Sequence, residues 1–219
     1  TVASNVDTVL VVQAASGEVN LRRIERELVL AFDSGAQPVV VFNKRDEIDA
    51  AAVTDLLAQV QPVLAGVPVH VVSARTGEGL DDLRAYTYIY GAETPATIAL
   101  LGASGVGKST LVNAIAGAQL QLTGAIRAAD GKGRHTTTHR SLHLLDGGGL
   151  ILDTPGLREL NLGDVGFGVA ALFEDIAEFA AGCRFANCRH DREPACAVRA
   201  AIDGGALDPR RLESFRKLR

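Results

Sequence analysis

The chain has 219 residues, 47% of them hydrophobic and 22% charged, with a formal net charge of −4; the composition is that of an ordinary globular protein, and the length suits one mid-sized α/β domain with a small appendage, or one large domain, and is too short for two full enzyme domains. No apolar run approaches the roughly 18–20 residues of a membrane-spanning helix, and the composition excludes disordered, collagenous and coiled-coil chains. Charge is unevenly placed: residues 183–219 hold nine Lys/Arg against five Asp/Glu, so this tail is +4 and the remainder −8.

In chain order, apolar runs alternate with helical periodicity. Strands are expected at Thr8 to Val12, Pro38 to Phe42 and Val67 to Val72, with helices from about Asn20 to Phe32 and Ala50 to Leu64 between them. Short buried strands separated by amphipathic helices predict βαβ units and a parallel sheet. A short helix near Leu80 to Ala85 leads into a strand at Thr97 to Leu101, a glycine-rich turn, and a helix from Lys108 to Ala116. Gly117 to His139 is polar and without apolar periodicity, a length expected of a functional or mobile loop. Ser141 to Leu145 and Leu150 to Leu152, joined through glycines 147–149, predict a hairpin. One helix is expected over Val169 to Ala181 and another over Asp208 to Leu218, with Pro209 in its first turn. The boundary is placed between residues 162 and 163: an α/β domain over 1–162 and a small helical domain over 163–219.

The three cysteines all lie between 183 and 196. A secreted disulfide scaffold uses an even number spread along the chain, so a reducing cytoplasm is expected. There is no secretory leader pattern at the start and no Met anywhere, so Thr1 either follows a removed initiator or lies inside a longer protein.

Gly102-Ala103-Ser104-Gly105-Val106-Gly107-Lys108-Ser109, followed by Thr110, fits G-x-x-x-x-G-K-[ST] in full, between a predicted strand and a predicted helix. The glycines let successive N–H groups face phosphates at a helix N-terminus, Lys108 pairs with the β- and γ-phosphates, and Ser109 ligates Mg2+. Asn43-Lys44-Arg45-Asp46 ends another strand. Alone it is as well read as a charged strand-to-helix loop. Beside a phosphate loop, the Asp46 carboxylate can accept the N1–H and N2–H2 donors of guanine, a pair that adenine lacks. Asn43 would support the loop and reach the base edge, and the Lys44 stem would cover the ring. Ser73-Ala74-Arg75, after the next strand, would offer a backbone N–H to guanine O6; a simple turn accounts for that triplet equally well.

Asp153-Thr154-Pro155-Gly156 ends the second hairpin strand, where Asp153 can hold Mg2+ through water and the Gly156 N–H can reach a γ-phosphate. Within Gly133-Arg134-His135-Thr136-Thr137-Thr138 one threonine hydroxyl, assigned to Thr137, would complete the Mg2+ shell. As isolated strings both are ordinary turn chemistry. Cys183-x4-Cys188-x-His190-x5-Cys196 supplies three thiolates and one imidazole, the set that closes a structural Zn2+ site; free buried thiols are the alternative. His70, His139 and His143 are read as ordinary surface or core residues.

The phosphate loop, DTPG, NKRD and SAR resemble the motifs of translation-factor-class GTPases, but in a shifted order: base motifs first, phosphate loop next, switches last. That order is similar to the circularly permuted GTPases. With GRHTTT and the cysteine cluster, nearly the whole chain resembles the ribosome small-subunit-dependent GTPase A family. The resemblance implies a circularly permuted P-loop domain with a zinc-bearing C-terminal domain, GTP hydrolysis on the small ribosomal subunit in its late maturation, contact with rRNA, and a cytoplasmic monomer without membrane association. It also suggests His135 as the residue positioning the attacking water. Leu157 stands where Ras-like proteins carry the water-orienting glutamine. Gly105 stands where potassium-activated members have Asn, and the family's N-terminal OB-fold has no counterpart in this sequence.

A GTP-gated RNA- or ribosome-binding module with negligible hydrolysis is the alternative from another class; a P-loop kinase or ATPase conflicts with Asp46. The basic tail, with Arg210, Arg211, Arg216, Lys217 and Arg219, suits a phosphate backbone or a solvated helix face equally. Residues 157–219 are expected to shift with the nucleotide, or to be firmly docked.

Overall fold

Val9 to Val12, Val39 to Phe42 and Ile98 to Leu101 are apolar without interruption, the pattern of strands buried on both faces. In the computed structural model, which describes residues 5–64, 66–88, 94–118, 141–145, 148–153 and 166–218, they form the centre of a six-stranded sheet. Its strands are β1 (Thr8–Ala14), β2 (Gln37–Asn43), β3 (Val69–Val71), β4 (Thr97–Leu101), β5 (Ser141–Leu144) and β6 (Leu150–Asp153). Their order is β3-β2-β1-β4-β6-β5, parallel except for β5, which pairs antiparallel with β6 as the predicted hairpin.

The helices are α1 (Leu21–Asp33), α2 (Ala50–Val60), α3 (Leu80–Arg84), α4 (Lys108–Ala116), α5 (Gly166–Leu172), α6 (Glu174–Ala180), α7 (Ala197–Asp203) and α8 (Pro209–Leu218). Strand side chains alternate between two cores. Val9, Val11, Val40, Phe42, Ala99 and Leu101 face α1 and α2. Leu10, Val12, Val39, Val41, Ile98 and Leu100 face α3 and α4. Parallel strands with crossover helices bring the carboxyl ends of β1, β2, β3, β4 and β6 to one edge, where loops can build a site.

Two features of the C-terminal region depart from expectation. The helix expected over Val169 to Ala181 is two helices, broken at Phe173, whose ring is 1% exposed and lies under the Arg211 guanidinium, 4.6 Å from its centroid. Helix α7 lies where no helix is expected; it is short, buries Val198 and Ala201 and packs Ile202 against the same core. The expected boundary at 162/163 lies outside the described residues.

The C-terminal helices share the first core rather than forming their own: Leu172, Phe173, Ile176, Val198 and Leu212 join the cluster containing Ile24 and Leu28 of α1. Helix α5 lies so close to α1 that a Cβ on Gly168 would sit 2.1 Å from the Val29 carbonyl oxygen. Arg211 of α8 completes the contact. It is 1% exposed and donates through Nε and Nη2 to both oxygens of Asp175 (2.9 and 2.7 Å), through Nη1 to the Val63 carbonyl (2.5 Å) and through Nη2 to the Leu172 carbonyl (2.7 Å). Val63 follows α2, so one side chain joins the sheet domain to the C-terminal helices.

Arg211 is buried but Asp175 is 28% exposed, so removing the guanidinium lets the carboxylate rehydrate and leaves the Val63 and Leu172 carbonyls without their donor. Arg211→Ala is expected to lower unfolding stability by about 1–3 kcal/mol in denaturant titration; no measurable loss would show that the contact is peripheral.

Candidate nucleotide and metal sites

The phosphate loop leaves β4 at Gly102 and enters α4 at Lys108. Gly102, Gly105 and Gly107 have φ of +142°, +84° and +94°, conformations open to glycine and strained for other residues. The Lys108 ammonium donates to the carbonyls of Gly102 (2.9 Å) and Ala103 (2.8 Å). Ser109 and Thr110 follow in the first turn of α4, with Ala103, Ser104 and Val106 in the loop itself.

Asn43 ends β2 and is 2% exposed. Its Nδ2 donates to the Val106 carbonyl (3.0 Å), and its Oδ1 accepts from the Ala74 N–H (3.0 Å). One amide therefore holds the phosphate loop and the Ser73–Arg75 turn. The fit is tight, since a Cβ on Gly107 would stand 2.3 Å from Asn43 Nδ2. Lys44 follows with a left-handed φ of +68°, turning the chain out of the strand into the short 3-10 turn that holds Asp46.

The Asp46 side chain is 11% exposed; one oxygen accepts from the Ser73 hydroxyl and the other lies 2.6 Å from an Arg75 nitrogen. The Ser73 hydrogen bond, with the Asp46 backbone amide and the Arg75 and Lys44 charges, holds this carboxyl below the usual range. It is an ionised acceptor at neutral pH. The Arg75 contact was not legible in the sequence, where that residue counted only for its backbone.

A second group beside the loop was also not anticipated. Glu27 of α1 accepts from Gln13 Nε2 and from Arg23 Nε, each at 3.0 Å. Burial pushes its carboxyl up, against those hydrogen bonds and the Lys108 charge. The Arg23–Glu27 spacing of four residues on a predicted helix was the available signal.

Asp153 ends β6, in register with Leu100 of β4, which places it at the same sheet edge as the phosphate loop. His135, Thr136, Thr137, Thr138, Gly156 and Leu157 lie outside the described residues.

Cys183, Cys188, His190 and Cys196 bring their ligand atoms within 4.8 Å of one another. His190 Nδ1 is 3.6 Å from Cys183 Sγ and 3.5 Å from Cys196 Sγ, and those two sulfurs are 3.9 Å apart. A tetrahedral zinc with bonds of about 2.3 Å to sulfur and about 2.0 Å to nitrogen has S···S edges of about 3.8 Å and S···N edges of about 3.5 Å. The cluster fits a zinc-binding site. His190 adopts φ +61°, and the loop around it is held by Glu193, whose carboxylate accepts from the backbone N–H groups of Arg189 (2.9 Å), Asp191 (2.9 Å) and Arg192 (3.1 Å). These bonds push the Glu193 carboxyl down from 4.5 to about 2, so its contribution to stability is present above the unfolded value and is lost as pH falls through about 2.

The tail is less available than its charge suggests. Arg210, Arg211, Arg216 and Lys217 each pair with a carboxylate of the C-terminal region; Arg219 lies outside the described residues. His70 bonds the Tyr86 hydroxyl at 3.0 Å, a packing role.

Cys188 and Cys196 belong to the core that contains α1. Stripping the zinc-loaded protein with a chelator is expected to lower Tm by on the order of 10 °C and restoring one equivalent of Zn2+ to recover it, read by thermal unfolding; an unchanged Tm would mean the cluster holds no structural metal.

The sequence profile of the RsgA GTPase family matches residues 1–163. A small ribosomal subunit biogenesis GTPase RsgA from Streptomyces coelicolor is 52% identical over 217 residues, covering 99% of this chain and 58% of that protein. The chain therefore spans less than two thirds of that relative. YjeQ from Thermotoga maritima superposes with a TM-score of 0.71 at 30% identity, over 98% of this chain and 70% of that one. YloQ, a circularly permuted GTPase, does so with 0.71 at 26% identity, over 97% and 67%. With base motifs preceding the phosphate loop on one parallel sheet, the fold is that of a circularly permuted GTPase, and this chain belongs to the RsgA GTPase family.

Proposed function

We propose that this chain is the GTPase and zinc-bearing part of a cytoplasmic, monomeric protein that binds the small ribosomal subunit and hydrolyses GTP to GDP and phosphate in late maturation of that subunit. The Asn43 amide carries the reading, because it joins a guanine-type carboxylate loop to a phosphate loop at one sheet edge. The name of the Streptomyces coelicolor relative supports the ribosomal partner.

In this reading the ionised Asp46 accepts from guanine N1–H and N2–H2, with Lys44, Ser73 and Ala74 beside the base. Base binding then replaces or reorients the Arg75 contact on Asp46. Backbone N–H groups from Gly102 to Thr110 cradle the phosphates, and Lys108 moves its ammonium from the loop carbonyls to the β- and γ-phosphates. Ser109 at the start of α4 and Asp153 at the end of β6 offer hard oxygen donors at one edge, which suits Mg2+, with Thr137 completing the set. Bound Mg2+ would neutralise charge on the β- and γ-phosphate oxygens. Gly156 would donate its N–H to the γ-phosphate and His135 would position water. Leu157 has no polar atom for that task, which favours slow turnover until a partner orders the site. In the C-terminal region Cys183, Cys188, His190 and Cys196 would hold a structural Zn2+ with no open position for chemistry.

Leu157 also keeps a second reading in play, a GTP-gated binding module with negligible hydrolysis. One assay addresses both. Hydrolysis of GTP and of xanthosine triphosphate is measured for wild type and Asp46→Asn, with and without small subunits. Wild type is expected to prefer GTP and to accelerate with subunits; Asp46→Asn, which replaces an acceptor by an amide, should shift preference toward xanthosine triphosphate by at least about tenfold. An unchanged preference refutes the base assignment, and no turnover with subunits present leaves the binding module as the function.

A further inference from the structure

Parallel strands β1 and β4 deliver two segments to one sheet edge, the first turns of α1 and the phosphate loop. Between them lies an open cavity of about 670 Å3, with Arg22, Arg23 and Arg26 on one wall and Gly102, Ala103 and Ser104 on the other. Arg22 and Arg26 are exposed and, four residues apart, share a helix face. The first turn of α1 holds Arg22 and Arg23 and no carboxylate, although cations at that end oppose the helix dipole. The i,i+4 pair with Glu27 accounts for Arg23 within the helix, but helix stability does not account for Arg22. Glu27, on the same wall, accepts from Gln13 and Arg23. A chain of net charge −4 thus concentrates three guanidinium groups beside its phosphate loop.

We propose that this arginine wall docks the phosphate backbone of RNA, that of the small ribosomal subunit, directly beside the nucleotide phosphates. The inference rests on the function proposed above and adds to it the surface through which the partner reaches the GTPase centre. Guanidinium forks match phosphate oxygens bidentately and keep their charge at any physiological pH. A row of them along one open helix face suits a repeating anionic backbone better than a single carboxylate. RNA seated there would also meet Arg23, whose partner Glu27 is bonded to Gln13 on β1. Subunit binding would then be sensed within the wall of the phosphate loop.

The test compares the intact wild-type chain with Arg22→Ala/Arg26→Ala and with Arg22→Lys/Arg26→Lys. Each is titrated with purified small ribosomal subunits, with protein-free small-subunit RNA and with polyglutamate, across a salt series. For the alanine pair, affinity for subunits and for naked RNA should fall about tenfold or more, and the slope of log K against log salt should become shallower by about 0.7–0.9 per lost contact. The lysine pair should retain the salt slope and recover most of the affinity. Tm and GDP affinity should match wild type, which excludes misfolding. Unchanged RNA affinity and slope overturn the proposal. So does a loss confined to polyglutamate, which would mark an acidic protein as the occupant, or a loss of GTP affinity without RNA, which would assign the arginines to the nucleotide. If wild type ignores subunits, the proposed function fails; arginine-dependent binding of naked RNA would still support the surface, and no RNA binding at all would refute it.

Discussion

A single buried amide, that of Asn43, sets the geometry on which the candidate nucleotide site depends. Its Nδ2 fastens the phosphate loop at Val106 and its Oδ1 fastens the Ser73–Arg75 turn at Ala74. These loops follow strands β3 and β4, which residues 72–96 separate in sequence, yet one planar group ties them together. With the Asn43 side chain out of water, each loose end would leave an unsatisfied polar group costing about 1–3 kcal/mol. Gly107 is part of the same constraint, because any side chain there would occupy the space of the amide. The distance from Asp46 to Lys108 is then a property of the sheet edge and not of flexible loops.

That constraint also explains how the shifted order of motifs is tolerated. A parallel sheet places loops by strand order in space, and β3-β2-β1-β4-β6-β5 puts the relevant strand ends side by side whichever comes first in the chain. Opening the chain before β1 leaves the segment after β6 to lead into the C-terminal helices. These helices pack on α1 through a continuous core, with Arg211 joining Val63, Leu172 and Asp175. The described residues therefore form one packed body in which the Cys3His cluster shares a core with the helix that flanks the phosphate loop.

Most of this was legible because it rests on local chemistry. Doubly buried strands read as unbroken apolar runs, and β1, β2 and β4 came within two residues of their expected ends. The phosphate loop, Asn43 to Asp46 and the Cys3His set are recognisable because each needs particular residue types at short spacing. What was not legible depends on distant partners. Arg211 counts as one more basic residue in a tail until the fold buries it against Asp175 and Phe173. The break at Phe173 goes with that packing, and helical periodicity alone runs straight through it; α7 spans only seven residues, too few for periodicity to declare it. β3 starts after Pro68, which has no N–H to donate to the ladder although its carbonyl accepts from the Val40 N–H. Arg75 meets Asp46 only because β2 and β3 are neighbours.

Hydrogen–deuterium exchange of Asn43→Ala against wild type measures the tie most directly. If the amide couples the two loops, the Ala74 amide and the amides from Gly105 to Lys108 should lose protection together, while the interior of β1 and β4 keeps its own. Loss in only one loop, or in neither, would contradict the account, since the base and phosphate loops would then be held independently of Asn43.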